Sequence, residues 1–186
     1  MSPPLVRAER PGDSNAIHDV IEAAFAGATH ASGTEAAIVA ALRAAGVLSL
    51  SLVAEEKGKI VGHVAFSPVA VEDGAVGWFG LGPVAVRPDR QRRGIGDALI
   101  AEGLGRLKAA EAAGCVVLGD PAYYGRFGFS HDPTLSYPGA PAPISRRWGS
   151  APCVLPEPSI ITTPSGLPDP QGRACRMRPR RSIHCA

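Results

Sequence analysis

Between Leu81 and Ile100 the chain gathers the residues best able to hold a charged ligand. An apolar run through Leu81, Val84 and Val86 leads into a basic turn from Arg87 to Arg93, and Gly94-Ile95-Gly96 opens an apolar-periodic stretch. A strand that delivers the chain to a glycine-rich turn and then to a helix leaves the first-turn N–H groups without partners, at the positive end of the helix dipole. Glycines remove the Cβ atoms that would keep a ligand off that backbone, and Arg90, Arg92 and Arg93 add positive charge around it. The segment reads as a cradle for a diphosphate. It is not a P-loop, because Asp97 and Ala98 follow Gly96 where a Lys and a Ser or Thr are required. Nor is it a dinucleotide fingerprint, which needs a third glycine in register and an acidic ribose contact after the next strand.

A second chemical element lies about thirty residues on. After a short apolar run from Val116 to Gly119 comes Pro121-Ala122-Tyr123-Tyr124-Gly125-Arg126-Phe127-Gly128-Phe129. A phenol can protonate a leaving group. Taken together, Gln91-x-x-Gly94-x-Gly96 resembles the Q/R-x-x-G-x-G/A coenzyme A signature of the GNAT acyltransferase superfamily, and Tyr124-x-x-x-Gly128-Phe129 is similar to the Tyr-x-x-x-Gly-Phe element that follows its fifth strand. The P-x-Y-Y-x-R-F-G-F run resembles that of small bacterial N-acetyltransferases. The likeness spans Leu5 to about Tyr137.

The resemblance implies acetyl-CoA as co-substrate and transfer of its acetyl group to a primary amine, on a small molecule or a peptide, by direct attack. It implies a sheet that splays between the strand ending at Val86 and the strand beginning at Cys115. Backbone groups of Val84, Ala85 and Val86 would pair with pantetheine, and Gln91, Arg92, Arg93, Gly94, Ile95 and Gly96 would hold the diphosphate. Pro83 cannot donate to a ladder and predicts a bulge or unpaired edge. A backbone N–H near Leu81 to Val84 would polarise the thioester, a donor worth on the order of 2.7 to 4 kcal/mol. Tyr124 takes the family's position for the acid, with Tyr123 as the competing choice. The strand from Trp78 to Val86 has no carboxylate where many relatives carry one, so the base is left among His63, Glu72, Asp73 and Glu35, or to a water relay from an already partly deprotonated amine. A module that binds acyl-CoA without turnover would share every cradle residue.

Around these groups the chain reads as a short strand at Leu5 to Glu9, a helix capped by Asp13, and a second helix from Thr34 to Ala45 ended by Gly46. Strands at Leu50 to Glu55, Lys59 to Val71 and Ala75 to Val86 follow, the first two joined at Lys57-Gly58. A long helix from Gly94 to about Ala113 is then stopped by Gly114. This order predicts an α/β fold with a mixed, largely antiparallel, GNAT-like central sheet flanked by helices.

Composition fits one sizeable core: 186 residues, 45% hydrophobic and 19% charged. No membrane span is expected, and with no export pattern at the N-terminus a cytoplasmic location is expected. Cys115, Cys153, Cys175 and Cys185 lack the paired spacing of a zinc site, so no metal is expected. A domain is expected over 4–140. In the last 49 residues lie ten of the 18 prolines and seven of the 19 basic residues, so 141–186 is expected to be a poorly ordered Pro/Arg-rich tail without a convincing pair of closing strands. Its arginines lack the interleaved aromatics of a nucleic-acid arm, and nucleic acid is not favoured as a partner. Pairing of two copies along a sheet edge stays open.

Overall fold

The computed structural model describes residues 4–27, 33–71, 76–133, 135–136, 144–147 and 159–162. In chain order the elements are β1 (Leu5–Ala8), α1 (Ser14–Phe25), α2 (Glu35–Ala44), β2 (Leu50–Glu56), β3 (Lys59–Pro68), β4 (Ala70–Val71), β5 (Trp78–Val86), α3 (Ile95–Ala109), β6 (Gly114–Leu118), α4 (Pro121–Tyr124), β7 (Ser130–His131), β8 (Leu135–Ser136), β9 (Ile144–Arg147) and β10 (Ser159–Thr162). A seven-stranded sheet runs β1-β2-β3-β5-β6-β9-β7, and β4, β10 and β8 form a small second sheet. In the main sheet β5 and β6 are the parallel pair and every other pairing is antiparallel. A parallel pair needs a crossover, which α3 supplies. This is the mixed, largely antiparallel sheet that the sequence predicts.

Both faces of the sheet are covered, so its central strands are apolar on alternate and intervening positions alike. Leu52, Val53 and Ala54 in β2 are all fully buried. Leu52 and Ala54 join Val64, Phe66, Leu81 and the inner stripe of α3 (Ile95, Leu99, Ile100, Leu104, Leu107) in one core. Val53 joins Ala65, Ala85, Ile17, Val20 and Ile21 of α1, and Ala36 and Val39 of α2, in the other. Gly103 lets α3 lie close: a Cβ there would stand 2.2 Å from the Phe66 ring.

Pro83 sits in an irregularity, as expected. Val64 pairs with Val84 and Phe66 with Leu81, so β5 carries one residue more than β3 across Gly82-Pro83. The bulge reverses the phase of the strand. Phe79 and Leu81 pack towards α3 before it, and Val84 and Val86 do so after it, while Ala85 turns to the α1 face.

Several expectations are revised. The strand expected over 59–71 breaks at Val69, whose N–H bonds to the Trp78 carbonyl at 2.9 Å, and Ala70–Val71 pairs with β10 instead. The long helix ends at Ala109 rather than near Ala113. Glu111 takes the left-handed conformation (φ 55°), with its N–H on the Lys108 carbonyl and that of Ala112 on Leu107, a Schellman closure. Gly114 therefore does not stop the helix; it begins β6, where a Cβ would press on the Trp78 ring at 2.5 Å. Asp13 precedes α1 but offers it no side-chain cap, because its carboxylate accepts from the Arg10 N–H and from Arg7 at 2.7 Å each.

Two strands lie beyond residue 140. Ile144–Arg147 runs antiparallel to β6 and bonds on its other side to β7, and Ser159–Thr162 lies between β4 and β8. Both strands fall within proline-free runs, 144–151 and 159–163. The rest of the expected tail lies outside the described residues.

The close contact at Gly103 sets a test against its neighbour Gly105, whose Cβ would meet nothing within 4 Å. Gly103→Ala is expected to lower stability by about 1 to 3 kcal/mol through overpacking, although alanine favours the helix. Gly105→Ala is expected to raise stability by up to about 1 kcal/mol. Urea denaturation of the two variants measures both.

Candidate active site

The parting of two strands makes the site. β5 and β6 pair from Trp78 opposite Gly114 to Leu81 opposite Val117 and no further, whereas β5 continues to Val86. The unpaired length of β5 keeps its bond to β3: the Arg87 N–H reaches the Val61 carbonyl at 2.9 Å. By the alternation of an antiparallel ladder, Ala85 also faces β3, and the N–H and C=O groups of Val84 and Val86 face the side that β6 has left. Among the described residues, this edge of β5 has no strand beside it beyond Leu81.

At the end of that edge the chain turns through a 3₁₀ segment at Pro88–Arg90 into α3. Gly94 stands before the helix with φ 77°, a left-handed conformation that glycine adopts without cost. Arg92 is left-handed too, at φ 58°, and Gln91 donates to the Val86 carbonyl at 3.1 Å, tying the turn to the strand. Gly96, in the first turn of α3, leaves room beside Val84, Val86 and the Tyr123 hydroxyl, each 3.4 to 4.0 Å from where a Cβ would be.

A cavity of about 460 Å³ joins these parts. It is lined by Val84, Val86, Arg90, Gln91, Arg92, Gly94, Ile95, Gly96, Asp97, Tyr123, Tyr124 and Arg126. It thus brings together most of the residues singled out from the sequence. Ala85 and Arg93 are not in its lining: Ala85 is fully buried on the α1 face, and Arg93 is exposed. Asp97 and Arg126 also line it without having been expected there: Asp97 follows the last glycine of the first motif, and Arg126 stands at an open position of Tyr124-x-x-x-Gly128-Phe129.

The two tyrosines have different surroundings. Tyr123 donates to Asp97 Oδ1 at 3.2 Å. Tyr124 makes no hydrogen bond from its hydroxyl among the described residues. Its ring stands edge-on to Tyr123 and to Phe129 and lies on Gly119, where a Cβ would come within 2.5 Å of it. Burial, with the neighbouring Tyr123 as a lesser cause, pushes the Tyr124 phenol up to about 12. It therefore holds its proton at neutral pH, and the residue belongs to the cavity lining.

The candidate bases fare differently. Glu72 and Asp73 lie outside the described residues. Glu35 opens α2. His63 is fully buried in β3, with its Nε2 2.9 Å from the Ser51 hydroxyl oxygen. Ser51 donates in turn to Glu9, which Arg43 clamps at 2.7 Å. With Ser51 donating outward, His63 gives it the Nε2 proton, and the lone pair of Nδ1 is left in the core without a hydrogen bond. That lone pair is closed to any acceptor molecule. Among the described residues no group of three or more His, Cys, Asp or Glu side chains could hold a metal ion, and no helix is long and apolar enough to cross a membrane.

A family model described as "Acetyltransferase (GNAT) domain" matches residues 48–131. The chain is 39% identical over 140 residues to the uncharacterised N-acetyltransferase YhbS of Escherichia coli K12, a match spanning 73% of this chain and 81% of that protein. Among solved structures, a GNAT family acetyltransferase from Brucella melitensis in complex with acetyl-CoA is 55% identical with a TM-score of 0.66, over 68% of this chain and 82% of that one. The YhbS structure from Escherichia coli, in complex with CoA, is 35% identical with a TM-score of 0.72, over 79% and 82%.

The buried His63 predicts a pH dependence of stability. Burial pushes its pKa down to about 4, against a smaller opposing pull from Glu9. The unfolded chain, titrating near 6.5, binds the proton first, so stability is full above about 6.5, falls by about 3 kcal/mol as pH drops to 4, and levels off below. Glu9 adds a separate loss at lower pH. Its partial burial raises its pKa, but the hydrogen bonds from Arg43 and Ser51 outweigh that and hold it below the usual carboxylate range. Denaturant unfolding across pH 4 to 7 is expected to show the His63 slope, and His63→Leu to remove it.

Proposed function

The chain belongs to the GNAT acetyltransferase family, and on that premise we propose that it transfers the acetyl group of acetyl-CoA to a primary amine by direct attack. The observation that carries this reading is one cavity in which α3's first-turn amides, the free edge of β5 and an unengaged phenol converge. Amides from Arg92 to Gly96 would take the diphosphate, with the dipole of α3 behind them. Val84 and Val86 would pair with pantetheine as another strand would, which directs the thioester down the slot towards the bulge. Ala85 contributes to this from behind, by anchoring the strand to β3.

The neutral amine attacks the thioester carbonyl, and the tetrahedral intermediate collapses with cleavage of the C–S bond. Nitrogen loses a proton and sulfur gains one, so the net change is amine plus thioester to amide plus thiol. Tyr124 supplies the sulfur's proton and is itself reprotonated through solvent. Complete transfer from a phenol at about 12 to a thiolate of ordinary pKa about 8.5 runs uphill by about 5 kcal/mol. The phenol therefore acts first as a hydrogen-bond donor to the charge growing on sulfur, and the proton follows as the C–S bond opens. The amine's proton goes to water rather than to His63, whose lone pair is buried.

The acceptor's class is a primary amine on a small molecule or a peptide. Acetyl-CoA and CoA, but not NADH, are expected to raise the thermal midpoint, since a ligand of the native state stabilises by RT ln(1 + [L]/Kd). Gly96→Val, which fills the cradle, is expected to abolish that shift. With an amine found by following thiol release, Tyr124→Phe is expected to lower kcat by about 10²-fold with little change in the KM for acetyl-CoA. An unchanged kcat removes Tyr124 from the mechanism, and absence of any shift with a folded sample removes the coenzyme.

A further inference from the structure

We infer that Asp97, Tyr123 and Arg126 form a clasp that positions Tyr124, by tying α4 to the first turn of α3 across the end of the slot where β5 and β6 no longer pair. The inference rests on the reading of Tyr124 as the acid. Asp97 Oδ1 accepts from two donors at once, the Tyr123 hydroxyl and Arg126 Nη2, each at 3.2 Å. Arg126 also donates from Nε to the Tyr123 carbonyl at 3.2 Å, and its guanidinium lies 4.4 Å from the centre of the Tyr123 ring. One carboxylate on one wall thus holds the residues on either side of Tyr124 on the other wall.

The shortness of α4 gives such a tie a role. α4 has four residues, far too few to be stable by itself, and it is followed by a single 3₁₀ turn at Gly125–Phe127. Gly119 and Phe129 set the plane of the Tyr124 ring, and Tyr123, Tyr124 and Phe127 rest on the core that holds Ile95 and Leu99, contacts that are apolar and without direction. The ladder that would fix the walls relative to each other stops at Leu81 and Val117. Beyond it, the Asp97 cluster is the polar connection between α3 and α4. Asp97 is well placed for this, because a carboxylate in a helix's first turn is favoured by the dipole, and Arg126 offsets its charge beside a cradle built for an anion.

The clasp also assigns the two tyrosines. A hydroxyl held by a carboxylate is engaged in structure, and Tyr123 is that one. Tyr124 is left free to meet the substrate.

This is a positioning role, and it separates from a general structural one. The side chains of Arg126 and Asp97 are 52% and 46% exposed, and exposed ion pairs contribute little to global stability. Placement of a reacting group is far more sensitive to small displacements than stability is. In the full-length chain, Asp97→Asn and Arg126→Gln are expected to speed amide hydrogen exchange over 121–127 and to move the thermal midpoint by no more than about 3 °C. They are expected to lower kcat about tenfold with a smaller change in the KM for acetyl-CoA, while Arg126→Lys retains most of the activity. Placed in Tyr124→Phe, Arg126→Gln is expected to cause no further fall, because it acts through the missing hydroxyl. An equal fall in both backgrounds, or unchanged exchange over 121–127 in both single variants, overturns the clasp. Exchange judges it independently of the chemistry: faster exchange upholds the clasp even where Tyr124→Phe proves silent, a result that would overturn the acid assignment instead.

Discussion

A sheet strand whose neighbour leaves it part-way along has backbone donors and acceptors to satisfy, and that need governs most of what this chain does at its centre. β5 stays paired with β3 on both sides of its bulge, loses β6 after Leu81, and arrives at Val86 with no described strand on its other edge. Exposed strand edges invite pairing. Here the edge is confined to a narrow slot, walled by α3 on one side and by α4 on the other, so what can pair with it is a slender extended ligand and not another sheet. The glycines of the turn, the left-handed Arg92 and the bond from Gln91 to Val86 all serve to bring the helix N-terminus to the end of that same edge.

The opposite face of the sheet is organised by a different principle. There a line of polar groups from Arg43 through Glu9 and Ser51 to His63 enters an otherwise apolar core. It connects α2, the end of β1, β2 and β3, elements distant in sequence. A buried network of this kind fixes which residues face one another more strictly than apolar contact does. The cost is an imidazole kept neutral in the interior. The two faces thus differ, with the cavity and its open strand edge on the α3 side and a buried polar line on the α1 side.

The glycine turn into α3 was legible in the sequence because glycines, a basic turn and an amphipathic helix are local signals, each with its own physical reason. Tyr124 was singled out by its spacing to Gly128 and Phe129, and it lies in the lining of the same cavity. What could not be read depended on contacts across the chain. Gly114 looked like a helix stop because glycine usually is one, but a glutamate closed the helix and the glycine was needed against Trp78. His63 attracted interest as a base by residue type, and only burial settled its availability. The strands at Ile144–Arg147 and Ser159–Thr162 carry no strong pattern of their own; their pairing with β6, β4 and β8 creates them. Asp97 and Arg126 lie 29 residues apart, a separation at which no motif scan would pair them.

The extra residue at Gly82-Pro83 bears on how sequences of this kind can diverge. The bulge absorbs it, so Val64 still stands opposite Val84 and the two valines of the slot share the α3 face with Leu81. With one residue fewer, the same two pairings would persist in a plain ladder, and Val84 and Val86 would keep both their face and their outward backbone groups. What the strand would lose is the bend and added twist of the bulge. The extra residue thus governs the direction in which β5 runs past the end of β6, and the identity of the side chains in the slot is independent of it.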